Sequence, residues 1–241
     1  MGIREQVYQD PLLFVVFGGG ISVSMIGVAL LFYKIIDKKP IRTLGFSIKK
    51  GDLLFSLIAS LIVFLCYWLF VRGLEIAHLV SFEYDYGFLS SHQYLFIFPF
   101  LISWILAALH EEITNRAYFY KNLQHLRLFR MLIISSLLFA IMHVFKGLSP
   151  VYFLILFITG ISFMYIYFKS GAVWVGSIIH AFMNFANSFF LNEDVNSKFS
   201  FIVLKDIQEA KAYALYFAFT IGLNILLILM TRIFYKKSPK S

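Results

Sequence analysis

Seven long apolar runs, separated by short charged or turn-forming segments, dominate the pattern along this chain. They are Leu12–Ile36, Leu53–Val71, Tyr94–Leu109, Leu128–Phe145, Val151–Phe168, Ala172–Leu191 and Tyr213–Tyr235. Crossing a hydrocarbon layer takes about 20 helical residues. The pattern therefore predicts an all-α, polytopic integral membrane bundle of about seven transmembrane helices. The third run is expected to stay helical to about Leu123. The first contains Gly18-Gly19-Gly20 and reads equally as one tilted span or a broken one, because neighbouring helices can cover the backbone of a membrane glycine. No repeat, low-complexity tract or second domain interrupts the pattern, so residues 1–241 read as a single membrane domain. The longest connections are the mildly acidic 72–93 segment and the polar 192–212 segment.

Composition strengthens this reading. The chain is 60% hydrophobic and only 14% charged, with mean hydropathy +0.80; a soluble core with a polar shell does not have that balance. Charge adds an orientation. Of the 21 Lys+Arg residues, fifteen fall in the odd-numbered connections and the C-terminus: Lys34, Lys38, Lys39, Arg42, Lys49, Lys50, Arg116, Lys121, Arg127, Arg130, Lys169, Arg232, Lys236, Lys237 and Lys240. Arg4, Arg72, Lys146, Lys198, Lys205 and Lys211 fall on the other side. Positive residues favour the cytoplasm, so a multi-pass protein of the cell membrane is expected, with its N-terminus outside and its C-terminus cytoplasmic. The net charge of +8 is this bias; basic residues that flank spans do not form a nucleic-acid surface. MGIREQ lacks the Ser/Thr of a myristoylation site, SPKS is no prenylation box, and no cleavage site follows the first run, which is expected to be retained. Cys66 is the only cysteine, so no intramolecular disulfide forms.

Ionisable groups at bilayer depth are the informative residues, since each charge there costs about 2.5–3.5 kcal/mol on insertion scales. They are His110, Glu111, Glu112 and Arg116 on the third helix, His143 near the end of the fourth, and His180 with Asn184 in the sixth. Glu112 and Arg116, four residues apart, share a face and form a salt bridge, interhelical or at the cytoplasmic rim. Glu111 points about 100° away and lacks that partner. A carboxylate beside another in a poorly solvated place is expected to have a raised pKa, suited to a general base. His180 and Asn184 lie one turn apart in HAFMN, and Phe139 stands one turn from His143 in FAIMH. His78, His92 and His125 fall in connections and read as solvated surface.

A glutamate, two histidines and an amide from three helices suit water activation, with the carboxylate as base, an imidazole to orient the water, and His/Asn donors for a tetrahedral oxyanion. The same Glu111, His143 and His180 are also zinc-type donors, two His and one carboxylate. The HExxH motif is absent, because position 114 is Thr114. Asn184 is a poor zinc ligand, which favours chemistry without a tightly held metal; zinc is the one cofactor the donors admit.

HEEITNR, then FAIMH about thirty residues later, then HAFMN in a later span, together resemble the CAAX protease and bacteriocin-processing family of intramembrane proteases, also called the Abi family. Its pattern is EExxxR, FxxxH and HxxxN/D on successive membrane helices, and the matching core covers about 94–191. The resemblance implies that Glu111 is the catalytic glutamate, that His143 and His180 are the essential histidines and Asn184 the oxyanion-stabilising amide, and that Glu112 and Arg116 complete the first motif. It also implies an endopeptidase acting on a hydrophobic or lipid-anchored peptide or protein. Shorter length looks like the bacterial branch, whose members are linked to peptide maturation, self-immunity and membrane sensor or peptide-export partners. A non-catalytic scaffold or immunity protein is the competing reading. A proton-coupled transporter is weaker, since no inverted repeat is seen.

Overall fold

A computed structural model describes residues 13–84, 95, 97–143, 149–191, 202–205 and 207–236. The expected run ends Leu12, Tyr94 and Phe145 lie outside the described residues, as do His92, Arg4, Lys146, Lys198, Lys237 and Lys240. Each predicted run holds a helix. These are α1 (Gly19–Ile35), α2 (Lys50–Ile76), α3 (Ile97–Glu112), α5 (Leu128–Met142), α6 (Pro150–Ser170), α7 (Val173–Phe190) and α8 (Glu209–Phe234). Helix α3 continues through a π-helical turn, Ile113–Tyr118, into α4 (Phe119–Leu123), so the third span reaches Leu123 as expected. The glycine run does not break the first span: Gly18 and Gly19 both have right-handed helical geometry, and a π turn, Phe14–Gly18, leads straight into α1.

Among the described residues, five helices are long and apolar enough to cross a membrane: Val15–Ile35, Lys50–Ile76, Ile97–Leu123, Pro150–Ser170 and Ala210–Phe234. Helix α5 is shorter, at 15 residues. Helix α7 carries His180, Asn184 and Asn187 and is the most interior of the helices, with Val175, Gly176, Ile179, His180 and Ala181 all buried. It packs against α3 on one side and α2 on another, and α6 packs against α5 and α8. Large apolar side chains cover the outer faces, including Ile21, Leu31, Leu61, Leu69 and Ile233. Such rows belong against lipid rather than water.

Contacts between connections fix how the helices alternate. The turn after α1 docks on the turn between α6 and α7: Val173 N–H donates to Gly45 O at 2.9 Å, Tyr167 Oη to Leu44 O at 3.1 Å and Trp174 Nε1 to Phe46 O at 3.0 Å. Gly45 has φ +80°, and a Cβ there would lie 2.1 Å from Gly171 O; only glycine allows that approach. Lys39 Nζ donates to Lys121 O at 3.2 Å. Tyr235 Oη donates to Asp52 Oδ1 at 2.9 Å, joining the end of α8 to the start of α2. These contacts join only odd-numbered connections and the C-terminus.

The even side has its own link, and the sequence pattern did not show it. Two short strands, β1 (Ser81–Tyr84) and β2 (Ile202–Lys205), pair antiparallel with Ser81 opposite Lys205 and Tyr84 opposite Ile202. They come from the 72–93 and 192–212 connections. Two loops can pair only on one side of the bilayer, so the sheet supports the same alternation.

Inside the bundle, helices are joined by polar groups and by close backbone approach. Asn224 Nδ2 of α8 donates to Thr220 O at 2.9 Å and reaches Thr159 Oγ1 of α6 at 3.4 Å, while its Oδ1 meets the Ser162 hydroxyl. Between α5 and α6, a Cβ on Gly160 would lie 2.8 Å from Ser136 Cα. Backbone cannot step aside as a side chain can. Gly160→Ala is therefore expected to cost about 1–3 kcal/mol through overpacking, read as a lower melting temperature in detergent; a melting temperature equal to wild type would show that the two helices separate freely.

Candidate active site

His110, Glu111 and Glu112 stand near the centre of a 27-residue apolar helical run, Ile97–Leu123. Directly after Glu112 the helix opens into the π turn, a distortion that frequently marks functional sites. Backbone acceptors around it find side-chain partners. Thr114 Oγ1 donates to His110 O at 2.8 Å, and Ser135 Oγ of α5 donates to Asn115 O at 2.7 Å.

Glu111, His143 and His180 converge from α3, α5 and α7. Glu111 Oε1 lies 3.8 Å from His143 Nε2, and its Oε2 lies 3.8 Å from His180 Nε2. The Glu111 side chain is 16% exposed, which leaves it open to a reactant. Both gaps exceed a direct hydrogen bond and suit a bridging water.

What lies behind each imidazole sets its tautomer. His143 Nδ1 is 2.8 Å from Phe139 O. A carbonyl only accepts, so Nδ1 carries the proton and the Nε2 lone pair of the neutral ring faces Glu111. Phe139 also meets the His143 ring edge-on at 4.7 Å between centroids, as the FAIMH spacing predicts. His180 Nδ1 lies 3.1 Å from Glu112 Oε1, and a carboxylate likewise takes that N–H. The ring of His180 packs on Phe163 of α6 at 4.8 Å. Asn184 follows His180 by one turn of α7, half-buried, and makes no side-chain hydrogen bond among the described residues.

The Glu112–Arg116 pair forms on one helix face as its spacing predicts, and only its expected position needs correction. The sequence suggests a link between helices or a cytoplasmic-rim bridge, yet the pair lies within one helical run, buried, with side chains 1% and 0% exposed and Arg116 Nε 3.6 Å from Glu112 Oε1. Its carboxylate belongs to the site through His180. Arg116 Cζ sits 4.0 Å above the Phe139 ring, a cation–π contact of the desolvated kind. His78 and His125 are exposed, as expected for connecting segments.

Two residues of the site have no signal in the motifs. Phe163 backs the His180 ring, and Gly176 stands against Glu112, whose Oε2 would lie 2.6 Å from a Cβ at that position. The glycine one turn before His180 was the only available hint.

The donors are of zinc-binding kind, but among the described residues no group of three or more His, Cys, Asp or Glu side chains is arranged to hold a metal ion. An apolar pocket of about 240 Å³ is lined by Met25, Val28 and Phe32 of α1, Thr114 and Tyr118 of the π turn, and Met142 of α5. Met142 adjoins His143, and Thr114 is three residues beyond Glu111.

Residues 93–186 match the family model described as type II CAAX prenyl endopeptidase Rce1-like. The match spans all three motifs. No curated protein matches the chain, and no solved structure does.

Proposed function

We propose, since residues 93–186 match the family model described as type II CAAX prenyl endopeptidase Rce1-like, that the chain is an intramembrane endopeptidase of that family whose base is Glu111. The observation that carries this reading is the convergence of one carboxylate and two imidazole Nε2 atoms at 3.8 Å from three helices.

A water seated beside the pair donates to both Glu111 Oε1 and His143 Nε2 and so joins two acceptors. Glu111 takes a proton from it as the oxygen attacks the scissile carbonyl. The oxyanion that develops is assigned to the Asn184 side-chain amide, with His180 one turn away on the same face of α7. Glu111 then returns its proton to the leaving amine, and the peptide bond breaks. All these steps run through protein groups and water.

The substrate is a hydrophobic, lipidated or membrane-associated peptide or protein. The pocket between α1 and α5 supports entry from the side, because its walls are apolar and two of its lining residues, Thr114 and Met142, are near neighbours of Glu111 and His143 in sequence. The positive-residue bias supports a cytoplasmic C-terminus.

Quantitative peptide mapping in cells carrying wild-type or His143→Ala protein tests the proposal. A precursor is expected to accumulate only with the variant, at equal membrane insertion. Identical peptide profiles would favour a scaffold that needs no chemistry.

A further inference from the structure

We propose that Gly176 is a positioning residue for the hydrolysis inferred above: its missing Cβ gives the Glu112 carboxylate a seat against α7, and that seat sets the ring of His180. The inference rests on the proposed function for its catalytic meaning, but its geometry stands by itself.

Gly176 and His180 are four residues apart, so they share one face of α7. A Cβ at Gly176 would lie 2.6 Å from Glu112 Oε2, 3.2 Å from its Cδ and 3.5 Å from its Cγ. The whole carboxylate end therefore leans on the bare helix backbone. The other oxygen, Oε1, accepts from His180 Nδ1 at 3.1 Å and faces Arg116 Nε at 3.6 Å. Behind the imidazole, Phe163 packs at 4.8 Å and is fully buried. The ring is thus held between an aromatic wall and a carboxylate, and the carboxylate's place depends on an absent methyl group.

The size of the clash decides what kind of effect follows. Ordinary contact begins at 3.4 Å, so a Cβ 2.6 Å from Oε2 asks for a shift of 3.4 − 2.6 = 0.8 Å. The atom that must yield is the far end of a side chain, which can move without unwinding a helix. Oε1 rides on the same carboxylate, so the part of that shift directed away from α7 lengthens its 3.1 Å contact with His180 toward or past the limit of a hydrogen bond. The fold is expected to survive, then, and the tautomer and tilt of His180 to lose their support. A misplacement of about 1 Å near a reacting centre can cost about 10²-fold in rate. Gly160 shows the contrast, since a Cβ there meets the backbone of Ser136 at 2.8 Å and threatens helix packing instead.

The test uses the full-length protein in detergent micelles, labelled with ¹⁵N-histidine. In wild type, a hydrogen-bonded Nδ1–H correlation is expected and is assigned to His180 by its disappearance in His180→Gln. In Gly176→Ala it is expected to vanish into exchange with water, with the melting temperature retained. Gly222→Ala, where a Cβ meets nothing within 4 Å, should leave it in place. Persistence of the wild-type signal in Gly176→Ala overturns the proposal. If Gly176→Ala does not fold, the Gly176→Ala/Glu112→Asp protein decides. Its shorter carboxylate leaves room for the methyl group, so recovery of the fold without the His180 signal supports the seat, and failure to fold shows that the clash lies elsewhere. On the substrate revealed by precursor accumulation, Gly176→Ala is expected to lower kcat about 10–100-fold with KM within about twofold. Absence of any cleavage by the wild type would defeat the endopeptidase reading, while the spectra would still decide whether Gly176 seats Glu112.

Discussion

Glu111→Gln is expected to lower the rate of peptide-bond hydrolysis by about 10²–10⁴-fold, the range ascribed to a positioned general base. Glutamine keeps the volume and length of the side chain, so the bundle has no cavity to collapse around. It loses the basic oxygen. Its amide would also donate to one of the imidazole Nε2 atoms that lie 3.8 Å from the native carboxylate, taking the place intended for water. Both effects act on chemistry rather than binding, so kcat falls and KM stays near wild type. The measurement is single-turnover cleavage of the precursor identified in cells, with melting temperature as the control for folding. A Glu111→Gln protein that still cleaves within about threefold of wild type would remove Glu111 from the chemistry and leave the match to residues 93–186 without its proposed base.

The cost of burying charge makes Glu111, His143 and His180 readable from the sequence. A membrane helix has few reasons to hold such residues, and the structure brings all three to one place. The alternation of helices was equally legible, because long apolar runs leave the chain little choice but to cross and return. The details that depend on contact rather than composition were not. A strict 3.6-residue period treats Glu111 and Glu112 as pointing apart, yet His180 spans the two, with Nε2 toward the first and Nδ1 toward the second. An imidazole has two nitrogens on different sides, so one ring can serve two faces of a neighbouring helix. The π turn after Glu112 breaks the period itself. Phe163 and Gly176 were invisible for a different reason: an apolar residue in an apolar helix carries no sign of which neighbour it will touch. The short sheet escaped because four-residue strands inside polar connections offer no long alternation to read.

Arg116→Met is expected to destabilise the protein by about 3–5 kcal/mol, the cost of leaving a buried charge without its partner. The arginine side chain is fully buried, and Glu112 beside it is 1% exposed, so no water screens the carboxylate once the guanidinium is gone. Methionine fills much of the same volume, which limits the packing loss and leaves charge as the main change. Adding Glu112→Gln should then restore most of the stability, because a neutral pair has far less to lose by burial. A deficit of about 1–2 kcal/mol should remain, from the cation–π contact over Phe139 that the double variant still lacks. Activity should not return with stability, since His180 Nδ1 would face an amide where it now donates to a carboxylate. Denaturant unfolding in micelles, run beside the cleavage assay, separates the two. A single variant as stable as wild type, or a double variant no better than the single, would mean that the charge of Glu112 is balanced by something other than Arg116.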